Sequence, residues 1–132
     1  MHKRVRRFTR GRVRSFGHAF QGGWYALRTQ RNAWLEVGIA CVAFAMAAWL
    51  RLDAVRWAIL VLTALLVFAA EFFNTAVEVI VDLVSPGHHP LAKIAKDVAA
   101  AAVLVAACGA VVIGVLLMGP PLLMKLQGWL GF

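Results

Sequence analysis

Charged residues are scarce in this chain of 132 residues: they make up 15% of it, whereas apolar residues make up 62%. A water-soluble domain of this size needs far fewer apolar side chains for its core. Only four prolines occur, and the absence of a low-complexity tract excludes a long linker or disordered tail. Cys41 and Cys108 lie inside apolar runs and indicate neither a disulfide framework nor a metal site. The composition predicts a single membrane-embedded domain over residues 1–132.

Acidic residues are absent before Glu36, whereas nine of the 14 lysines and arginines precede residue 32. These residues supply the excess positive charge of a chain whose net charge is +8. A basic start can bind nucleic acid, but such an arm seldom leads into membrane-length apolar segments. Membrane lipid headgroups on the cytoplasmic side are the better match. The first apolar run starts near residue 33, which is too late for a cleavable signal peptide.

Three apolar stretches are long enough to cross a membrane: residues 33–50, broken only by Glu36, then residues 54–84 and 98–124. A hydrocarbon core of about 30 Å requires roughly 20 helical residues. Because basic segments stay inside, the sequence predicts a multi-pass protein of the bacterial cytoplasmic membrane with a cytoplasmic N-terminus. The third span is expected to close at the Gly-Pro-Pro sequence of residues 119–121, since proline interrupts helices.

An amphipathic helix is predicted from about residue 12 to residue 30, before the first span. Its apolar side chains recur at spacings of three and four, and arginine and glutamine occupy much of the other side. This pattern is typical of a helix that lies in the membrane interface. The expected fold is therefore all-α, with a basic interfacial segment over residues 1–31 and three transmembrane helices. The apolar positions are Val13, Phe16, Phe20, Trp24 and Leu27.

The second span carries four polar side chains at spacings of three, four and four. At about 100° per residue, these positions fall within roughly 60° of one another on a helix. Ionisable groups at membrane depth are costly and usually face a protein interior, a cavity or an opposite charge. This face is therefore the predicted centre of function. Its residues, called the polar stripe below, are Glu71, Asn74, Glu78 and Asp82.

Three hypotheses are open for the polar stripe. It can be a solvated cap or a structural seam of ion pairs with Lys93 and Lys96. It can line a path for cations in a small, non-enzymatic oligomeric membrane protein. It can also serve phosphoryl transfer, which mainly requires charge neutralisation by a metal and a positioned base. Neither a Walker loop nor a kinase glycine-rich loop occurs in the sequence.

The residues in and after the polar stripe resemble the prokaryotic diacylglycerol kinase and undecaprenol kinase family. The pattern is E-x-x-N-[ST]-A-x-E from Glu71 to Glu78, then three residues and Asp82, then fourteen residues and Asp97. Residues 15–22 also resemble the start of the family's interfacial helix. The resemblance implies a homotrimeric membrane kinase that uses ATP with Mg²⁺ to phosphorylate a lipid alcohol. Its active sites are shared between subunits on the cytoplasmic side.

The resemblance also implies roles for individual residues. Glu71 matches the general base that takes the proton of the lipid substrate. Asn74 matches a polar orienting group beside Glu71. Glu78 matches a metal ligand, and Gln30 stands at the position of a second one. The implied nucleotide-binding residues are His18, Gln30, Glu78, Asp82, Gly87, His89, Lys96 and Asp97.

Three of these positions depart from the common family pattern. Many members carry a metal-binding glutamate where this chain has Gln30, whose neutral amide oxygen is a weaker ligand. His18 stands where an aromatic residue is frequent, and Gly87 stands where a glutamate is frequent. The loop of residues 85–93 resembles the undecaprenol kinase branch, so undecaprenol is expected as the acceptor in preference to diacylglycerol.

Overall fold

The computed structural model describes the backbone of residues 2–130 and the side chains of residues 14–30 and 32–130. Across these residues the chain is helical apart from short connections and contains no strand, which confirms the predicted all-α fold. The basic side chains before residue 14 lie outside the described part, so their contact with lipid headgroups stays a prediction. The four helices are α1 (His2–Thr29), α2 (Arg31–Trp49), α3 (Ala54–Val84) and α4 (Pro90–Leu130).

Three helices are long and apolar enough to span a membrane, as predicted. They are α2 over Asn32–Trp49, all of α3 and all of α4. Large apolar side chains stay exposed along each of them, and no residue of α4 is buried. Helices with apolar outer surfaces are expected where lipid or another apolar chain is the neighbour.

Helix α1 begins at His2, about ten residues earlier than its apolar pattern predicts. The backbone of this basic start is helical, and arginine is a good helix former. Phe16 and Phe20 are exposed, and the guanidinium of Arg28 lies 5.0 Å from the centre of the Trp24 ring. One extended residue, Gln30, separates α1 from α2. The first membrane-spanning helix therefore starts directly after this residue.

The prediction that the third span closes at residues 119–121 is wrong. Helix α4 runs through both prolines as a single helix of 41 residues. Proline removes one backbone donor, but membrane helices tolerate this loss when packing holds both sides. Beyond the prolines, Leu122 packs against buried apolar residues. Lys125 donates a hydrogen bond of 2.7 Å to the carbonyl of Trp49, and its ammonium lies 4.1 Å from the centre of that ring.

The turn between α2 and α3 lies at the end of the helices opposite the polar stripe. Buried apolar residues on both sides of this turn form a small cluster that α4 covers. Asp53 begins α3, because its carboxylate accepts a hydrogen bond of 3.0 Å from the backbone N–H of Arg56. That hydrogen bond holds the pKa of Asp53 below its ordinary value. The apolar cluster consists of Ala47, Leu50, Leu52 and Leu60.

Replacement of Asp53 by alanine is expected to lower the midpoint of thermal unfolding in detergent by a few degrees. The substitution removes the acceptor for one backbone N–H group in the first turn of α3. Loss of such an N-cap lowers the free energy of unfolding by about 1 kcal/mol. Asp53→Asn keeps an acceptor oxygen and is the matched control. Equal midpoints for Asp53→Ala and the unmodified chain would contradict the capping role.

Candidate active site

The polar stripe changes from enclosed to exposed along α3. Glu71 is 2% exposed and Asn74 is 6% exposed, although much of this helix faces outward. Glu78 is half-buried, and Asp82, one turn further, is exposed. Burial of a carboxylate is costly unless the surroundings compensate it, so such groups are often functional. The inner half of the stripe is thus the candidate site for chemistry.

Two amide groups hold the carboxylate of Glu78. Nε2 of Gln30 donates a hydrogen bond of 2.6 Å to Oε2, and Nδ2 of Asn74 donates one of 3.1 Å to Oε1. Gln30 comes from the break between α1 and α2, whereas Asn74 lies one turn away on the same helix as Glu78. The fold therefore brings together three predicted site residues, and these three are called the amide clamp below.

Glu71 lies two turns before Glu78 on α3. The hydroxyl of Thr75 donates a hydrogen bond of 2.9 Å to the backbone carbonyl of Glu71. This bond does not involve the Glu71 carboxylate. No ion pair among the described residues involves the Glu71 carboxylate. An enclosed carboxylate without a cationic partner is a suitable group to receive a proton from an alcohol.

Glu36 is a candidate site residue that the predicted set omits. Its Oε2 is buried and has no hydrogen-bond partner in the described part of the chain, and its charge repels that of Glu71. Glu36 also lines an otherwise largely apolar cavity of about 540 Å³ between α2, α3 and α4. The sequence did contain a signal, because Glu36 alone interrupts the first apolar run.

Lys96 of α4 contacts the exposed end of the stripe, and a second lysine of α4 pairs with a carboxylate of its own helix. Nζ of Lys96 lies 2.6 Å from Oδ1 of Asp82, and Nζ of Lys93 lies 2.6 Å from Oδ2 of Asp97. The hypothesis of a structural ion-pair seam therefore applies to Asp82 in this structure. Exposed ion pairs contribute about 1 kcal/mol or less, so these groups can exchange partners for a bound ligand at small cost.

Three predicted nucleotide-binding residues stand apart from the amide clamp. His18 is exposed on α1 and lies 12 residues before Gln30 in sequence, about 18 Å along a helix axis. Gly87 lies in the open loop between α3 and α4. Nδ1 of His89 accepts a hydrogen bond of 3.2 Å from the backbone N–H of Leu91, which caps the start of α4. No hydrogen bond described for this chain connects these residues to the clamp.

The amide clamp fits a metal ion that binds together with phosphates. Its oxygens include the Glu78 carboxylate and Oδ1 of Asn74. This Oδ1 is buried and lacks a hydrogen-bond partner among the described residues. Mg²⁺ is usually held by one or two carboxylates plus phosphate and water oxygens. In the part of the chain that the structure describes, no three His, Cys, Asp or Glu side chains are grouped to hold a metal by themselves.

Comparison with known proteins identifies the family. The family model described as prokaryotic diacylglycerol kinase matches residues 17–118. The chain belongs to this family. A diacylglycerol kinase of Synechocystis is 47% identical over 110 residues, which are 83% of this chain and 63% of that protein. An undecaprenol kinase of Bacillus subtilis is 41% identical over 109 residues, or 83% of this chain and 89% of that protein.

A third relative, a diacylglycerol kinase of Escherichia coli, is 33% identical over 104 residues, or 74% of this chain and 85% of that protein. The predicted resemblance to the diacylglycerol kinase family is thus confirmed. The match thus spans less than two thirds of the Synechocystis protein and most of the other two. The family match contains the amide clamp, Glu36, Glu71 and both lysine ion pairs, whereas the last part of α4 lies beyond it.

A double-mutant cycle is expected to show that the Gln30–Glu78 hydrogen bond stabilises the folded chain. Gln30→Ala, Glu78→Ala and the double variant should give a coupling free energy of roughly 1–2 kcal/mol, because the acceptor is charged and half-buried. The measurement is equilibrium unfolding in mixed detergent micelles. Gln127→Ala combined with Glu78→Ala is the control, and it should be additive. Additivity of the Gln30 and Glu78 pair would contradict the contact.

Proposed function

We propose that this protein is an ATP- and Mg²⁺-dependent kinase that phosphorylates a lipid alcohol, with undecaprenol as the preferred acceptor. The observation that carries the proposal is the pairing of an enclosed carboxylate, Glu71, with a hydrogen-bonded carboxylate, Glu78, two turns apart on a membrane-spanning helix. One is suited to proton transfer, and the other is suited to a metal-phosphate complex. Membership of a family named for a lipid kinase supports the same conclusion.

In the proposed reaction, Glu71 takes the proton of the lipid hydroxyl as its oxygen attacks the γ-phosphorus of ATP. The new O–P bond forms while the bond from the γ-phosphorus to the bridging oxygen breaks, and ADP leaves. Asn74 lies between the two carboxylates on α3, donates a hydrogen bond to Glu78 and would orient the reacting groups. Bound Mg²⁺ would neutralise charge on the triphosphate, and Glu78 with Oδ1 of Asn74 would hold it.

The nucleotide is proposed to occupy the exposed end of the polar stripe. Lys96 would release Asp82 and bind phosphate oxygens instead, because a compact ammonium group pairs well with phosphate. Asp97 would contribute the second polar contact from α4. The remaining proposed nucleotide contacts are His18, Gln30, Gly87 and His89.

The lipid acceptor is the less specific part of the proposal. The cavity beside Glu36 is largely apolar and can accommodate a hydrocarbon chain of either candidate lipid. The undecaprenol kinase of Bacillus subtilis supports undecaprenol together with the loop sequence of residues 85–93. The diacylglycerol kinase of Synechocystis, at 47% identity, supports diacylglycerol as the second candidate.

The ion-pathway hypothesis has less support in the structure. A cation path needs a continuous row of available carboxylates, but Asp82 is paired with Lys96, and Glu78 accepts hydrogen bonds from two amide groups. We further propose that the protein acts as a homotrimer with shared sites, and that the polar stripe faces the cytoplasm. The basic segment over residues 1–31 supports this orientation by the positive-inside rule.

Purified protein in detergent should transfer phosphate from labelled ATP to a lipid, with more product from undecaprenol than from diacylglycerol. Both lipids are compared side by side, with Mg²⁺ present or chelated. Glu71→Gln should lower the rate about 100-fold or more, because it removes the proton acceptor. Asp53→Asn removes a carboxylate at the opposite end of α3 and should keep the rate. A Glu71→Gln variant as active as the unmodified chain would refute the site.

Lys96→Met should raise the KM for ATP about tenfold or more, because a phosphate contact from a charged group is lost. Its thermal midpoint should change little, since the ion pair to Asp82 is exposed. Steady-state kinetics and thermal unfolding of the same preparation separate the two effects. An unchanged KM together with a large loss of stability would mean that Lys96 is only structural.

A further inference from the structure

Gln30 places N–H groups against the one carboxylate that is available for a metal ion in the amide clamp. Its Nε2 lies 2.6 Å from Oε2 of Glu78. An N–H donor therefore covers part of the oxygen surface that a cation would approach. Nδ2 of Asn74 covers part of Oε1 in the same way. Each carboxylate oxygen keeps a second lone pair, which remains available to a ligand. The clamp therefore offers a net charge of −1 together with neutral amide groups.

No second carboxylate completes this site. Glu71 lies seven residues away on α3, which is about 10.5 Å along the helix axis and too far to share a metal ion with Glu78. Asp82 is paired with Lys96, and Asp97 is paired with Lys93. Within the described residues, no three His, Cys, Asp or Glu side chains are grouped to hold a metal ion. A free divalent cation would have to give up hydration water here for a single carboxylate, which Mg²⁺ does reluctantly.

We propose that Gln30 makes divalent-cation binding at the amide clamp conditional on nucleotide, so that the site accepts the cation only as its complex with a nucleoside triphosphate. The triphosphate supplies the negative charge and the oxygen ligands that the clamp lacks. This proposal rests on the proposed function, since the triphosphate is its phosphoryl donor. According to the proposal, the charge of the side chain at residue 30 determines whether the protein binds a metal ion in the absence of nucleotide.

The experiment measures Mn²⁺ uptake by the full-length protein in detergent through equilibrium dialysis. One set of cells contains Mn²⁺ alone, and the other contains Mn²⁺ with a non-hydrolysable ATP analogue on both sides of the membrane. The unmodified chain should take up Mn²⁺ above the buffer level only with the analogue. Uptake of Mn²⁺ alone to the same extent would overturn the proposal, and so would an absence of uptake with the analogue.

Gln30→Glu supplies the decisive variant. Two carboxylates would then face each other across the present hydrogen-bond distance, and their repulsion is relieved when a cation binds between them. The variant should bind Mn²⁺ without nucleotide at least about tenfold more tightly than the unmodified chain, since affinity rises with the number of charged ligands. Gln127→Glu adds the same charge on the exposed end of α4 and should bind no more Mn²⁺ than the unmodified chain.

Two further variants keep the test decisive. Gln30→Ala removes the amide without adding charge, so it should show no nucleotide-free uptake. If Gln30→Glu does not fold, as judged by its elution volume, Asn74→Asp adds a carboxylate from the other side of the clamp and should show the same gain. A folded acidic variant without that gain would overturn the proposal. Normal Mn²⁺ behaviour without lipid phosphorylation would instead refute only the proposed function.

Discussion

The hydrogen bond from Gln30 to Glu78 is the contact on which the arrangement of the site depends. It connects the break between α1 and α2 to the middle of the polar stripe on α3. Because its acceptor is a carboxylate, the bond is stronger than one between neutral groups and limits where the interfacial helix can sit. Together with the bond from Asn74, it gives the Glu78 carboxylate two amide neighbours.

Burial divides the polar stripe into two parts with different chemistry. The enclosed part contains Glu71, whose carboxylate has no cationic partner in the described chain, and it suits proton transfer. The exposed part contains Asp82, whose charge is balanced by Lys96 across the two helices. One helix therefore carries an enclosed carboxylate without a cationic partner among the described residues and, about three turns further along, an exposed carboxylate in an ion pair.

The prolines of α4 show why a local pattern can fail. Gly-Pro-Pro usually ends a helix, since each proline removes a donor. Here the residues beyond it have partners of their own: Leu122 joins the apolar cluster, and Lys125 binds the last residue of α2. Glu36 shows the opposite case. A single carboxylate in an apolar run gives no spacing pattern, and only the packing of α2 against α3 brings it near Glu71.

The sequence by itself determined the number of membrane-length helices, the face of α3 that carries the polar residues, and the family. These depend on hydrophobic length and on the period of one helix, which neighbouring residues set locally. Tertiary structure decided which polar groups meet across helices: Lys96 of α4 pairs with Asp82 of α3, and Gln30 reaches Glu78. Contacts between helices depend on their relative rotation and height, and side-chain packing across the whole domain determines both.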